Sequence, residues 1–290
     1  MANKRKFHPD KQRQIRAEKQ NRGSGNGESY LPFIQVRRHD FASHGRSHRF
    51  LSPFWPRHHD LLSDLELHVL LHVQLLRPHD IREQFPLMHC GIESDFLNFN
   101  PEAQGTVEIA KSLGIKHAVF GKNDHTTMST DMLVTLGTGA YVAIHIKYRK
   151  DLEIPRNIDK RAIEQKYWEQ RGVRFVVITE ENMNRIAVWN LMMFASVDRD
   201  LVGEVTQTWL HKISLMDVDR PMMSKLRELE KKTGEGYDVL VNRIKYSVLS
   251  GQLRLNLSER VLQWDLAWPE MTIDINGATD LQQVGMLSAS

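Results

Sequence analysis

Met128-Ser-Thr-Asp131-Met-Leu-Val-Thr-Leu-Gly137-Thr-Gly139-Ala-Tyr-Val-Ala-Ile-His145-Ile-Lys147-Tyr-Arg-Lys150 is the stretch on which the reading of this chain turns. Two runs rich in β-branched residues flank a Gly-Thr-Gly turn, so the spacing predicts two strands joined as a hairpin. Side chains alternate across a strand, which puts His145 and Lys147 on one face and Ile144 and Ile146 on the other. Asp131 lies in the first strand, within cross-strand reach of that pair. A carboxylate, an imidazole and a lysine at one end of a sheet suit hydrolysis of a phosphodiester. The same residues also permit a plainer reading: Asp131 caps a strand, and Lys147 with Arg149 and Lys150 forms a solvated edge.

Working outward, 290 residues suffice for two domains or one large one. No apolar run approaches the ~20 residues of a membrane span, and the basic N-terminus lacks the apolar core of a signal peptide. The single cysteine, Cys90, excludes an internal disulfide and a multi-cysteine zinc site, and a cytoplasmic location is expected. A net charge of +3 says little about partners, but its distribution says more. Lys4, Arg5, Lys6, Lys11, Arg13, Arg16, Lys19 and Arg22 crowd the first segment, a plausible phosphate-binding arm or a frayed terminus. Gly23-Ser-Gly-Asn-Gly27 follows as a flexible linker. Arg46, Arg49 and Arg57, interleaved with Phe50, Phe54 and Trp55, make a second basic patch that could hold a nucleic-acid backbone. The alternative is a loop pinned to the core by its aromatics.

Ser63-Asp-Leu-Glu66 is a capping box opening a helix to about Leu76, with Glu66 reaching back to the Ser63 amide. That helix is apolar nearly all round, as a buried helix must be. A glutamate at its start needs a partner, and a metal ion could be one. His68 and His72 lack the intervening glutamate of a zinc-protease helix and read as packing residues. A strand is expected at 81–86, a helix at 102–113, a helix capped by Asn157 or Asp159 and running to Arg171, and a buried parallel strand at 173–179. Beyond these the pattern is helical, at 184–194, 201–215, 222–232 and 237–250, with short β-like pieces at 252–257 and 271–275. The domain reading is a basic flexible arm over 1–28, a catalytic domain over 29–180, a winged-helix-like domain over 181–275 and a tail over 276–290. The fold class is α/β with a mixed central sheet, followed by a mainly helical domain.

Taken together, the pieces resemble the TnsA family, endonuclease subunits of heteromeric bacterial transposases. The matching text is Gly45-Arg-Ser-His-Arg49, His58-His-Asp-Leu-Leu-Ser-Asp-Leu-Glu66, Asp80-Ile-Arg-Glu-Gln-Phe-Pro-Leu87 and Ser112-Leu-Gly-Ile-Lys-His117, then Met128-Ser-Thr-Asp131, Ile146-Lys147, Glu164 and Tyr167-Trp168. It covers roughly residues 30–179 in order, and beyond that rests on domain order alone.

The resemblance implies a restriction-endonuclease-like core in which Glu66, Asp131 and Lys147 build the catalytic site, with Glu164 and Gln84 supporting it. Where the family typically has glutamine, this chain has His145. The resemblance also implies 5′-end cleavage of a transposon while a TnsB-like DDE transposase joins the 3′ ends. A TnsC-like AAA+ ATPase would bind the C-terminal domain. Glu66 and Asp131 are hard oxygen ligands suited to Mg²⁺, with the Ile146 carbonyl as a further ligand and Lys147 orienting water or stabilising negative charge. A neutral imidazole at His145 would favour Mn²⁺ over Mg²⁺, if it ligates at all; otherwise it faces the ion while the main chain binds, or marks a damaged site. Two other functions fit the same residues: a non-catalytic adaptor between transposase and ATPase, and a stand-alone restriction-type nuclease.

Overall fold

A computed structural model describes residues 11–36, 46–88, 100, 102–120 and 124–274. Lys4, Arg5, Lys6, Cys90 and the tail from 276 lie outside the described residues. The chain divides into two compact units, residues 1–67 with 79–180, and residues 68–78 with 181–290. One division thus follows residue 180, and another falls inside a helix, where no composition shift marks it.

The first unit is built on four strands, β3 (Asp80–Pro86), β4 (Ser129–Thr135), β5 (Tyr141–Ile146) and β6 (Arg174–Ile178), hydrogen-bonded in that order. They follow α1 (Lys11–Lys19), β1 (His48–Leu51), β2 (His58–Leu61) and α2 (Asp64–Gln74) in the chain. β3, β4 and β5 pair antiparallel, whereas β5 and β6 run parallel, so the sheet is mixed. The parallel pair needs a crossover connection. That crossover is α4 (Pro155–Glu169). α3 (Thr106–Ser112) lies between β3 and β4 in sequence. Ile109 and Ala110 of α3 pack with Ile163, Tyr167 and Trp168 of α4 against Phe85, Leu133 and Ala143 of the sheet. Trp168 has no exposed surface, and its indole N–H donates to Thr130 Oγ1 at 2.7 Å. Burial thus leaves no indole donor unpaired.

Several local expectations are revised. α4 begins at Pro155, with Ile154 as N-cap, rather than at Asn157 or Asp159. Proline suits the first helical position, where its missing N–H costs nothing. The described part of the N-terminal arm is neither frayed nor free. Residues Lys11–Lys19 form a helix that buries Ala17, and Gln14 accepts from the Thr127 amide at 2.9 Å. The glycine-rich linker is packed too. Gly23 has φ +90°, and a Cβ there would stand 2.1 Å from Pro86 Cγ. Close approach to Pro86, rather than flexibility, is what that glycine provides.

The second unit carries residues 68–74 of α2, and then α5 (Arg185–Ala195), α6 (Arg199–Val202), α7 (Gln207–Ser214), α8 (Met222–Thr233) and α9 (Tyr237–Leu249). The single helix expected over 201–215 is two, because Gly203 (φ +63°) ends α6. Leu240, Ile244 and Val248 of α9 are buried, and Gly251 (φ +64°) stops it as the sequence predicts. β7 (Leu253–Arg254) and β8 (Thr272–Ile273) form a small antiparallel pair. No helix among the described residues is long and apolar enough to cross a membrane.

Candidate active site

The β4–β5 ladder pairs Met132 with Ile144, and its next step sets Asp131 opposite His145. Asp131 Oδ2 accepts the Ile146 amide N–H at 2.7 Å, which fixes the carboxylate over the neighbouring strand. Ile144 and Ile146 are buried on the opposite face of the sheet. Asp131, His145 and Lys147 instead line a cavity of about 430 Å³. Strand alternation alone explains this division.

Glu66 comes from the first turn of α2. Its amide donates to Ser63 Oγ at 3.1 Å, the forward half of a capping box. The return contact differs from expectation: Glu66 Oε2 accepts the Leu62 amide at 2.8 Å, one residue before Ser63. Gln84 Nε2 donates to the same oxygen at 3.3 Å, while Gln84 Oε1 accepts from Ser129 Oγ at 3.2 Å. Gln84 thus joins Glu66 to the start of β4. It does so from a left-handed backbone, φ +48°, in the middle of a buried strand. A non-glycine residue held there costs on the order of 1–3 kcal/mol, which the surrounding packing must supply.

Burial, reinforced by the charge of Asp131, pushes the Glu66 carboxyl up to about 8, although the Leu62 amide and Lys147 pull the other way. Glu66, Asp131 and Lys147 therefore feel one another electrostatically, although they come from three elements.

His145 is buried, and its Nδ1 stands 2.8 Å from Glu164 Oε2 and 3.8 Å from Asp131 Oδ2. Burial works against its protonation, but the charge and hydrogen bond of Glu164, with Asp131 behind, raise its pKa above the ordinary histidine value. Burial dominates at Glu164 and raises that carboxyl, with His145 opposing. The ring nitrogen nearer Asp131 is thus committed to Glu164. Its other ring nitrogen, Nε2, is buried with no hydrogen-bond partner among the described residues, so the contact with Glu164 leaves that nitrogen uncommitted.

Glu66 and Asp131 fit a divalent cation. Both are hard oxygen donors, and a cation would offset the burial and the Asp131 charge that raise the Glu66 carboxyl. Among the described residues, no three His, Cys, Asp or Glu side chains are grouped so as to hold a metal ion. Any ion at this pair would complete its shell with main-chain oxygens, water or substrate.

Of the residues expected to face nucleic acid, Arg46 and Arg49 are exposed, paired with Asp64 and Asp60 at 3.4 Å each. Arg57 is not available for that role. It is buried, forms a two-pronged pair with Glu83 at 2.7 and 2.9 Å, and donates to the carbonyls of Gly27 and Ile81. With His59 Nδ1 at 2.9 Å from the same carboxylate, this cluster outweighs burial and lowers Glu83 to about 2.

The cavity wall also carries Arg13, Arg22, Arg156 and Lys160, which sequence reading did not select for the site. A signal existed for two of them. Arg156, Lys160 and Glu164 recur every four residues and so share one face of α4. Nothing in the linear pattern ties Arg13 of α1 to that face.

Residues 79–180 match the family described as TnsA-like endonuclease N terminal. Over 188 residues the chain is 36% identical to the transposon Tn7 transposition protein TnsA of Escherichia coli. The match covers 64% of this chain and 63% of that relative, so the chain spans less than two thirds of the relative's length. Gln84, Asp131, His145, Lys147 and Glu164 fall inside the family match, and Glu66 precedes it.

Proposed function

With residues 79–180 taken as a TnsA-like endonuclease domain, we propose that this protein is a divalent-metal-dependent DNA endonuclease acting as a subunit of a transposase. The observation that carries the reading is the convergence of Glu66 from α2, Asp131 from β4 and Lys147 after β5: burial raises the Glu66 carboxyl, and the charges of Asp131 and Lys147 act on it in opposite senses. The reaction is hydrolysis. Water adds to phosphorus, a P–O bond breaks, and the departing sugar oxygen takes up a proton. Glu66 and Asp131 would hold the ion, with the Ile146 carbonyl beside them. When bound, Mg²⁺ or Mn²⁺ supplies Lewis-acid charge stabilisation and a more acidic water. Lys147 orients the attacking water or stabilises negative charge on the phosphoryl oxygens. Glu164 holds His145, and Gln84 holds Glu66.

The substrate in this proposal is double-stranded DNA at the 5′ ends of a transposon, with a TnsB-like DDE transposase joining the 3′ ends. The helical second unit, whose α8, α9 and β7–β8 order suits a winged helix, would bind a TnsC-like AAA+ ATPase. Reconstitution with those two partners on end-bearing DNA tests the proposal. Asp131→Ala should abolish 5′-strand cleavage and leave 3′ joining and assembly intact. Unchanged 5′ cleavage by that variant would refute it.

A further inference from the structure

The lining of the catalytic cavity is more basic than hydrolysis requires. Its two acids are engaged: Asp131 accepts the Ile146 amide and Glu164 holds His145. Facing them are Arg13, Arg22, Lys147, Arg156 and Lys160. Arg156 and Lys160 sit one turn apart on α4, which also presents Glu164 along the same line. Arg13 arrives from the other end of the sequence. α1 is seated by the buried Ala17 and by Gln14, which accepts from Thr127 and donates to the His125 carbonyl. α1 is therefore a wall of the cavity.

Arg156 and Lys160 meet on this wall as neighbouring cations. Arg156 donates to the Lys116 carbonyl at 2.8 Å and is 3.9 Å from Asp159. The Lys160 ammonium is held below the usual lysine range, first by partial burial and then by the positive charges of Lys147 and Arg156. Gathering cations costs energy unless an anion enters among them, and a cleft lined by one sign of charge concentrates counter-ions of the other. A phosphodiester has the required charge and acceptor oxygens.

We propose that Arg13, Arg156 and Lys160 form a phosphate cradle that grips the DNA backbone beside the scissile bond, with α1 as its third side. This rests on the nuclease reading for the identity of the ligand. It adds that the first helix helps hold the substrate strand at the site, instead of trailing along the duplex as a tail.

The test measures binding apart from cleavage. The full chain, without divalent metal, is titrated with a fluorescent duplex oligonucleotide over a range of salt concentrations. Lys160→Glu and Arg13→Glu should each weaken binding about tenfold and flatten the slope of log affinity against log salt by ~0.9, the value for one phosphate contact. Lys160→Arg should retain both. Lys166→Glu, on the same helix but outside the cavity lining, should change the slope little. Equal slopes for Lys160→Glu, Arg13→Glu and Lys166→Glu would overturn the cradle, even if cleavage were lost. Absence of cleavage by the parent protein in a complete assembly would instead strike the nuclease reading, while the binding slopes would still decide the cradle.

Discussion

His145 Nδ1 lies 2.8 Å from Glu164 Oε2, a contact that ties β5 to α4 directly behind Asp131. Nδ1 is therefore committed to Glu164, while Nε2 has no hydrogen-bond partner among the described residues. A glutamine there could make the same donation through its side-chain amide. His145→Gln should keep cleavage within about threefold of the parent and leave the Mg²⁺ to Mn²⁺ activity ratio unchanged. Rates measured in each metal check this. A parent that prefers Mn²⁺, with the preference lost in the variant, would mean that the imidazole ligates after all.

Glu66→Gln and Asp131→Asn should each lower the cleavage rate by about a hundredfold or more, the scale of losing one group that stabilises the transition state. Both replacements keep the side-chain shape. Single-turnover cleavage, with thermal melting as the control for folding, separates chemistry from stability. A tenfold loss or less for both variants would leave the carboxylate pair without its assigned role.

Gln84 combines a left-handed backbone with a contact to Glu66, and two variants separate these features. Gln84→Val places a β-branched residue at φ +48° and should destabilise the protein by ~1–3 kcal/mol as well as impair cleavage. Gln84→Gly relieves the backbone but removes the support of Glu66. It should melt near the parent temperature and still cleave about tenfold more slowly. If Gln84→Gly cleaves normally, Gln84 is not a positioning residue.

Arg57→Ala leaves Glu83 buried without its guanidinium partner. Removing one member of a buried pair costs about 3–5 kcal/mol. Urea unfolding should show that loss. A fully stable Arg57→Ala protein with weakened DNA affinity would return Arg57 to the nucleic-acid surface.

His72 in the second unit is buried, and burial lowers its pKa to about 4 despite a hydrogen bond to the His68 carbonyl. Its folded value lies below the ~6.5 of an unfolded chain. The unfolded state therefore takes up the proton first, and stability falls as pH drops from about 6.5 towards 4. The loss is on the order of 3 kcal/mol across that window. Urea midpoints compared across it should show the parent losing stability relative to His72→Leu as the pH falls. Parallel curves would show that His72 is not the group responsible.

The β4–β5 hairpin, the burial of α2, the parallel β5–β6 pair and the helix stop at Gly251 could all be read from the linear chain. So could the sharing of one face by His145 and Lys147. These follow from periods of two and 3.6 residues and from backbone angles open to glycine, all set within a few residues. Partner choice is different, because charge alone does not say which opposite charge will be near. Arg57 looked like a surface cation until the fold placed Glu83 beneath it, and nothing in the linear chain said that α4 would bring Glu164 to His145. Likewise, α1 read as a loose arm because its few apolar residues gave no sign of where Ala17 would be buried. Local sequence thus determined the elements and the residues that could do chemistry. Packing between distant segments decided which of those residues meet, since only burial makes a neighbouring charge strong enough to matter.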